Sequence, residues 1–282
     1  MKDLLPIALG SVLMASSIAA AADSYREVVL ADKPFAYYRL GESSNKEAVA
    51  DELGNNPGSY VNEPDTGVPG AILTDSENTA VKLARSLNQY IYLTPLGAYG
   101  SNLSSGFSVE YWLKTANSTD HQNVFGTANA PGYRTDFLVD IGYAGAAGRL
   151  RLYCRDNRSH RFEIDFYPEG KNINIYDLRW HHIVHVYDPK AANANDRFRF
   201  YIDGERQDIT VGREVGVPAV SAFTSPMTLG SMDLRGDVTD SFDGALDEVA
   251  FYTAPLSGEQ VAKHYQAAGY HEHEPEPPRA AH

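Results

Sequence analysis

The chain has 282 residues, with 37 Asp plus Glu against 24 Lys plus Arg and a formal charge of −13. It therefore lacks the cationic field that releases counterions from phosphates, which excludes nucleic acid and anionic membrane surfaces as targets and leaves neutral or cationic partners. At 43% hydrophobic and 22% charged residues it can bury a core, and a sandwich of roughly 250 residues commonly forms one domain.

Residues 1–22 read as a signal peptide. Lys2 supplies a positive start, Leu4 to Ile18 an apolar run, and Ala19-Ala20-Ala21-Ala22 small residues for cleavage before Asp23. The run is shorter than the roughly 20 residues of a spanning helix. The mature protein is therefore expected to be exported, to the periplasm, the cell surface or the medium. The lone Cys154 alternates with polar residues in Arg149-Leu-Arg-Leu-Tyr-Cys154 and reads as a buried, inert thiol.

From there on the pattern is strands. Phe107, Val109, Tyr111 and Leu113 fall on one face of Gly106–Lys114, with Ser108, Glu110, Trp112 and Lys114 on the other, which predicts a half-buried strand. Comparable alternation marks 36–40, 80–84, 90–93, 135–141, 149–154, 161–166, 182–187, 197–202 and 245–252, separated by Gly, Pro, Asn and Asp clusters suited to turns. Asp203-Gly204 fits a two-residue hairpin turn. One helix is predicted, opened by the capping box Ser257-Gly-Glu-Gln260, with Leu256 and Val261 as its staple and Gly269 as its stop. Residues 271–282 have little to bury and read as a disordered tail. Residues 23–270 thus form one all-β domain, a two-sheet antiparallel sandwich or jelly roll.

Five segments carry a resemblance. Pro34-Phe-Ala-Tyr-Tyr-Arg-Leu-Gly-Glu42 followed by Asp51, Phe107-Ser-Val-Glu-Tyr-Trp112, Arg179-Trp-His-His-Ile-Val184, Phe200-Tyr-Ile-Asp-Gly204 and Phe242-Asp-Gly-Ala-Leu-Asp-Glu-Val-Ala-Phe-Tyr252 stand in the order of markers of bacterial laminin-G-like domains. The chain resembles that family, part of the concanavalin A-like lectin/glucanase superfamily, over about residues 25–268. The resemblance implies two large sheets packed face to face, one of them often presenting a groove. It also implies a structural Ca²⁺ at Asp247, with Asp51 as the second side-chain ligand and Glu42 as its alternate; Ca²⁺ accepts six to eight oxygens in irregular geometry. Asp233, Asp237, Asp240 and Asp243 form a competing acidic loop without EF-hand spacing.

Glu163-Ile-Asp-Phe-Tyr-Pro-Glu169 is similar to the catalytic strand of retaining β-glucanases, but its outer glutamates are six positions apart, about 20 Å along a strand, where retention needs carboxyls about 5–5.5 Å apart. His181 and His185 share a strand face about 13 Å apart, too far for one zinc, and read as structural. His271 and His273 in the tail are incidental metal ligands. Arg235-Gly-Asp237 is a chance adhesion tripeptide. Asn102, Asn117 and Asn157 open glycosylation sequons. Of the 18 tyrosines, Tyr99, Tyr133 and Tyr143 lie in Gly-rich loops where burial is least expected, and a tyrosine offers a flat apolar face with a polar tip to a sugar.

The expected function is a non-catalytic recognition module that binds an extracellular glycan or a surface protein, as in adhesion. The alternatives are a glycoside hydrolase or lyase on the same fold, and a structural extracellular domain.

Overall fold

The computed structural model describes residues 24–128, 136–156, 160–169, 171, 173–216, 226–234 and 237–270. The signal peptide, the cleavage point, the tail with its histidines, Tyr133, Asn157 and Arg235-Gly236 lie outside the described residues.

Two sheets pack face to face, as the alternation predicts. Sheet A, eight-stranded, runs in the order Glu205–Gln207, Phe198–Ile202, His181–Tyr187, Phe107–Lys114, Gly244–Tyr252, Thr79–Leu83 and Asp65–Pro69, with Ala36–Tyr38 also paired to Gly244–Tyr252. Sheet B, eleven-stranded, runs Thr210–Val215, Arg161–Phe166, Leu150–Arg155, Asp136–Ile141, Gln122–Ala128, Met227–Leu229, Tyr90–Leu93, Gly58–Val61 and Ala48–Val49. Beside Gln122–Ala128 lies Met232–Leu234, paired to it in parallel and to Asp237–Thr239 antiparallel. The Asp203-Gly204 turn forms as expected, both residues at positive φ (53° and 80°), which matches the twist of the hairpin it closes.

The core between the sheets is built from alternate residues of each strand. Phe107, Val109, Tyr111 and Leu113 from sheet A meet Phe125, Phe137, Phe162 and Phe166 from sheet B. Phe107 packs edge-on to Phe137 at 5.3 Å and stacks on Phe162 at 6.1 Å, geometries that suit the ring quadrupoles. Cys154 is buried there, as are Tyr38 and Tyr111.

The other face of Phe107–Lys114 departs from expectation. Alternation predicts that Ser108, Glu110 and Trp112 meet solvent, yet all three are buried. Two helices cover them, Tyr25–Ala31 and Gly258–Ala267, which contribute Tyr25, Val29, Val261 and Tyr265 to a second apolar cluster around Trp112, Val184, Ala250 and Tyr252. The C-terminal helix carries its expected capping box, Ser257 with Gln260. The N-terminal helix was not predicted from the sequence, although Ser24-Tyr-Arg-Glu27 forms the same reciprocal cap. Its seven residues are too few to hold a helix by propensity, and packing supplies the rest.

Under these helices Glu110 accepts four hydrogen bonds: from Tyr25 Oη at 2.7 Å, Tyr252 Oη at 2.8 Å, His182 Nε2 at 2.9 Å and His264 Nδ1 at 2.9 Å. His264 Nε2 faces Asp32 at 2.9 Å, so both ring nitrogens meet carboxylates and the imidazolium form is favoured. Burial alone lowers the His264 pKa, but Glu110 and Asp32 outweigh it and raise the value to about 9. Burial works against the Glu110 carboxylate, while His264 and His182 hold its pKa well below the usual range.

The contribution of a group with a raised pKa is complete below its unfolded value and is lost as pH rises through its folded value. The His264 term, roughly 3 kcal/mol for a rise from 6.5 to about 9, is therefore full below pH 6.5 and gone above 9. The Glu110 term is present above its ordinary 4.5 and is lost as pH falls toward its depressed folded value. Urea titration of His264→Gln against the parent should show a large loss of stability at pH 5–6 that shrinks toward zero above pH 9.

Candidate functional site

The two helices cover the centre of the outer face of sheet A, and the outer face of sheet B carries a second set of polar and charged side chains. In Leu150–Arg155, the inward residues Leu150, Leu152 and Cys154 put Arg151, Tyr153 and Arg155 outward, with Arg149 just before the strand. Register then aligns Asn123, Asp140, Arg151 and Asp165 as one cross-strand row, the side-by-side placement in which opposite charges pair best.

Arg151 grips Asp140 with Nε at 3.0 Å and with Nη2. Arg149 donates through Nε to Asp165 at 2.7 Å and through Nη2 to Glu163. Arg149, Arg151, Asp140 and Asp165 are buried while Glu163 is half-buried. Burial pushes the Asp165 carboxyl up, against the opposing hydrogen bond from Arg149. Burial works in the same way against the charged form of both arginines, yet their carboxylate partners raise them overall.

Aromatic rings lie over these arginines. The Tyr143 ring centroid is 3.5 Å from the Arg151 guanidinium carbon and 5.6 Å from that of Arg149; Tyr167 stands 5.9 Å from Arg149 and Tyr153 5.1 Å from Arg151. Stacking on a guanidinium orients a ring without covering its other face. Tyr143 and Tyr167 are each 39% exposed. His121 packs edge-on to Tyr143 at 5.3 Å and contacts Asp140 at 3.2 Å. Gly142 at φ 71° and Ala144 at φ 58° make the tight turn that sets Tyr143 over the sheet.

The predicted site residues divide. Tyr143 is exposed as expected. Tyr99 is a correction: it is fully buried, against Phe35, Phe137 and Phe251, because its loop folds into a short helix, Gly97–Asn102, at the end of the core. Tyr167 was missed, lying within the segment read for its acids. In that segment, Glu163 and Asp165 are held by Arg149, whereas Glu169 is exposed and beyond the end of its strand. His185 lies in the core against Tyr111 at 3.1 Å, and burial lowers its pKa to about 3. His181 bridges Asp177 and Asp203.

Asp51 is also a correction as a metal ligand. Its oxygens accept N–H groups from Tyr37 at 3.0 Å, Leu53 and Asn55 at 3.2 Å and Asn56 at 3.0 Å, so both serve the turn that follows it. Asp247 differs. It is fully buried, Oδ2 accepts from Ala71 N at 2.8 Å, and Oδ1 has no partner. A strand bulge with Glu248 at φ 50° sets a second buried carboxylate beside it, and burial together with Glu248 pushes the Asp247 carboxyl up. A Cβ at Gly70 would stand 1.9 Å from Asn78 Oδ1 and 2.8 Å from Asp247 Oδ2, so glycine here leaves room first for Asn78 and then for Asp247. An orphaned, buried carboxylate oxygen fits a hard cation, although among the described residues no three His, Cys, Asp or Glu side chains gather to hold one by themselves.

A family model described as concanavalin A-like lectin/glucanases superfamily, of laminin-G type, matches residues 85–262. Similar solved structures include domain 4 of AbnA, a GH43 extracellular arabinanase from Geobacillus stearothermophilus, in complex with arabinotriose (19% identity, TM-score 0.55, covering 83% of this chain and 98% of that one). Others are the receptor-binding domain of botulinum neurotoxin type G (14%, 0.52, 83% and 51%) and the binding domain of Paraclostridial mosquitocidal protein 1 (17%, 0.56, 82% and 51%). The chain spans about half the length of these toxin domains. At such identities the likeness is one of fold. No curated protein matches the chain.

Removing one partner of a buried ion pair strands the other charge. Arg151→Ala should therefore cost about 3–5 kcal/mol in denaturant unfolding, well above the loss of a solvent-exposed pair such as Lys46–Glu63, which water screens.

Proposed function

The chain belongs to the concanavalin A-like lectin/glucanase superfamily, and on that premise we propose that it is an exported, non-catalytic module that binds a saccharide on the outer face of sheet B. The observation that carries this reading is the pair of half-exposed rings, Tyr143 and Tyr167, beside one guanidinium. Each offers a flat face to a sugar ring, and the half-buried Glu163 beneath them accepts from hydroxyls. The arabinotriose complex of the similar arabinanase domain supports a saccharide as the ligand class. The non-catalytic role is supported by the bonding of Glu163 and Asp165 to the same arginine, which holds both as counter-ions rather than as a nucleophile and an acid. Export is supported by the pattern of residues 1–22. Among the described residues no helix is long and apolar enough to cross a membrane.

Stacking contributes little per ring, and each sugar hydroxyl gives up good hydrogen bonds to water. A dissociation constant of about 0.1–1 mM follows, near −4 to −5.5 kcal/mol. Affinity electrophoresis through gels of linear arabinan and a panel of other polysaccharides tests this: Tyr143→Ala and Tyr167→Ala should each abolish retardation with little change in melting temperature. Retardation that survives both substitutions would move the site elsewhere, and catalytic release of reducing ends that disappears in Glu163→Gln would make the protein a hydrolase.

A calcium ion held by Asp247 Oδ1, with backbone carbonyls completing its shell, is part of the same proposal. Its role is structural, since Asp247 lies on sheet A and the rings on sheet B. A ligand bound only by the native state at a hundredfold excess over its dissociation constant adds about 2.7 kcal/mol. Ca²⁺ should raise the melting temperature of the parent and leave Asp247→Asn unmoved; an identical melting curve in chelator would remove the ion from the account.

A further inference from the structure

The arginines on the outer face of sheet B are not all neutralised. Arg149 and Arg151 are matched by Asp165, Glu163 and Asp140. Further along the same strands Arg155 and Arg161 are direct cross-strand partners, and on the neighbouring strand Arg213 stands opposite Glu163, diagonal to Arg161. Like charges placed directly across a sheet repel, and here a chain of net charge −13 gathers three cations on adjacent strands. Arg161 is only half-exposed, its Nε is buried without a hydrogen-bond partner, and among the described residues no carboxylate pairs with it. A guanidinium in that condition gains a charge-assisted, planar pair when an anion arrives.

We propose that Arg161, flanked by Arg155 and Arg213, receives an acidic group of the ligand, a carboxylate or a sulfate, so that the saccharide bound by this face is an acidic one. This rests on the reading of the face as a saccharide site. Arg161 lies four residues from Asp165 in one strand, about 13 Å away, so an oligosaccharide stacked at Tyr143 and Tyr167 and lying along the strand brings a later sugar over the arginines. The whole-chain charge is no obstacle to one such group. Long-range repulsion weakens within about 8–10 Å at ordinary salt, whereas a contact pair in a partly buried setting is screened much less. The ladder at Arg149 and Arg151 serves a different purpose: its charges are already spent, and it orients rings.

The test is an array of paired glycans that share a backbone and differ only in carrying a uronate, sialate or sulfate, probed with the mature protein at about 50 and about 500 mM NaCl. Acidic members should bind about tenfold or more tightly than their neutral partners at low salt, and the difference should narrow at high salt. Arg161→Gln should level the pairs without lowering the melting temperature, since it removes a repulsion; Tyr143→Ala should weaken both members alike. Equal binding of neutral and acidic members, or a preference that survives Arg161→Gln, overturns the acidic ligand while leaving the saccharide site standing. A drop in melting temperature in Arg161→Gln with the preference intact makes the residue structural and likewise overturns it. Binding to no glycan at all overturns both readings.

Discussion

The docking of both helices on the outer face of sheet A centres on one buried carboxylate. Glu110 projects from the middle of a central strand into space that two helices close off, and an ion there without compensation would cost several kcal/mol. Four donors from four separate parts of the chain meet it: Tyr25 from the N-terminal helix, His182 and Tyr252 from the flanking strands, and His264 from the C-terminal helix. The two ends of the domain are thereby tied to its centre, and His264 carries the positive charge that balances the site. Trp112 joins the same arrangement through its indole N–H, which donates to Tyr25 Oη at 3.0 Å. Helix packing alone would be tolerant of small shifts, but a hydrogen-bonded ion allows only one docking geometry.

That arrangement is one reason the proposed recognition face is placed on sheet B. Around Glu110 the outer face of sheet A is buried under the two helices and its charges are compensated, although Asp247 elsewhere on that sheet keeps an oxygen without a partner. Among the described residues no helix covers the arginine and carboxylate rows of sheet B. They are satisfied by each other instead, in pairs that run across three strands, and the pairs form a firm floor for the tyrosines above them. For the proposed saccharide site such rigidity is an advantage, because a weak site gains most from rings that are already in place when the ligand arrives. Arg161 differs from the paired arginines in that, among the described residues, no carboxylate pairs with it and its Nε has no hydrogen-bond partner.

Much of the fold was legible because strand alternation has a period of two and survives without knowledge of the neighbours. The hairpin at Asp203-Gly204 and the cap at Ser257 were legible for a similar reason: each satisfies a local backbone demand with residues close in sequence. Tyr99 was misread because a glycine-rich stretch looks exposed unless one knows that it closes the end of a core. Asp51 was misread because an acidic side chain that ties a turn has the same appearance in a sequence as one that binds a metal. Tyr143 was found by the same loop argument that failed for Tyr99. Tyr167 was passed over because its segment drew attention for its acids, although Tyr167-Pro168 at a strand end was visible as an aromatic on a turn.

By itself, the sequence determined the strand order of faces, the class of the fold, its capped C-terminal helix and the burial of Cys154, because these depend on period and on local hydrogen bonding. Only the tertiary structure decided that Glu110 lies under helices, that His264 sits between two carboxylates, that the oxygens of Asp51 are taken up by backbone donors and Asn56 while Asp247 keeps an unpartnered oxygen, and that Arg161 lies beside Arg155 without a carboxylate partner among the described residues. Each of these is a statement about which partners a side chain has or lacks, and these are set by turn geometry, sheet register and helix docking, across separations from two residues for Asp51 and Leu53 to more than 150 for Glu110 and His264.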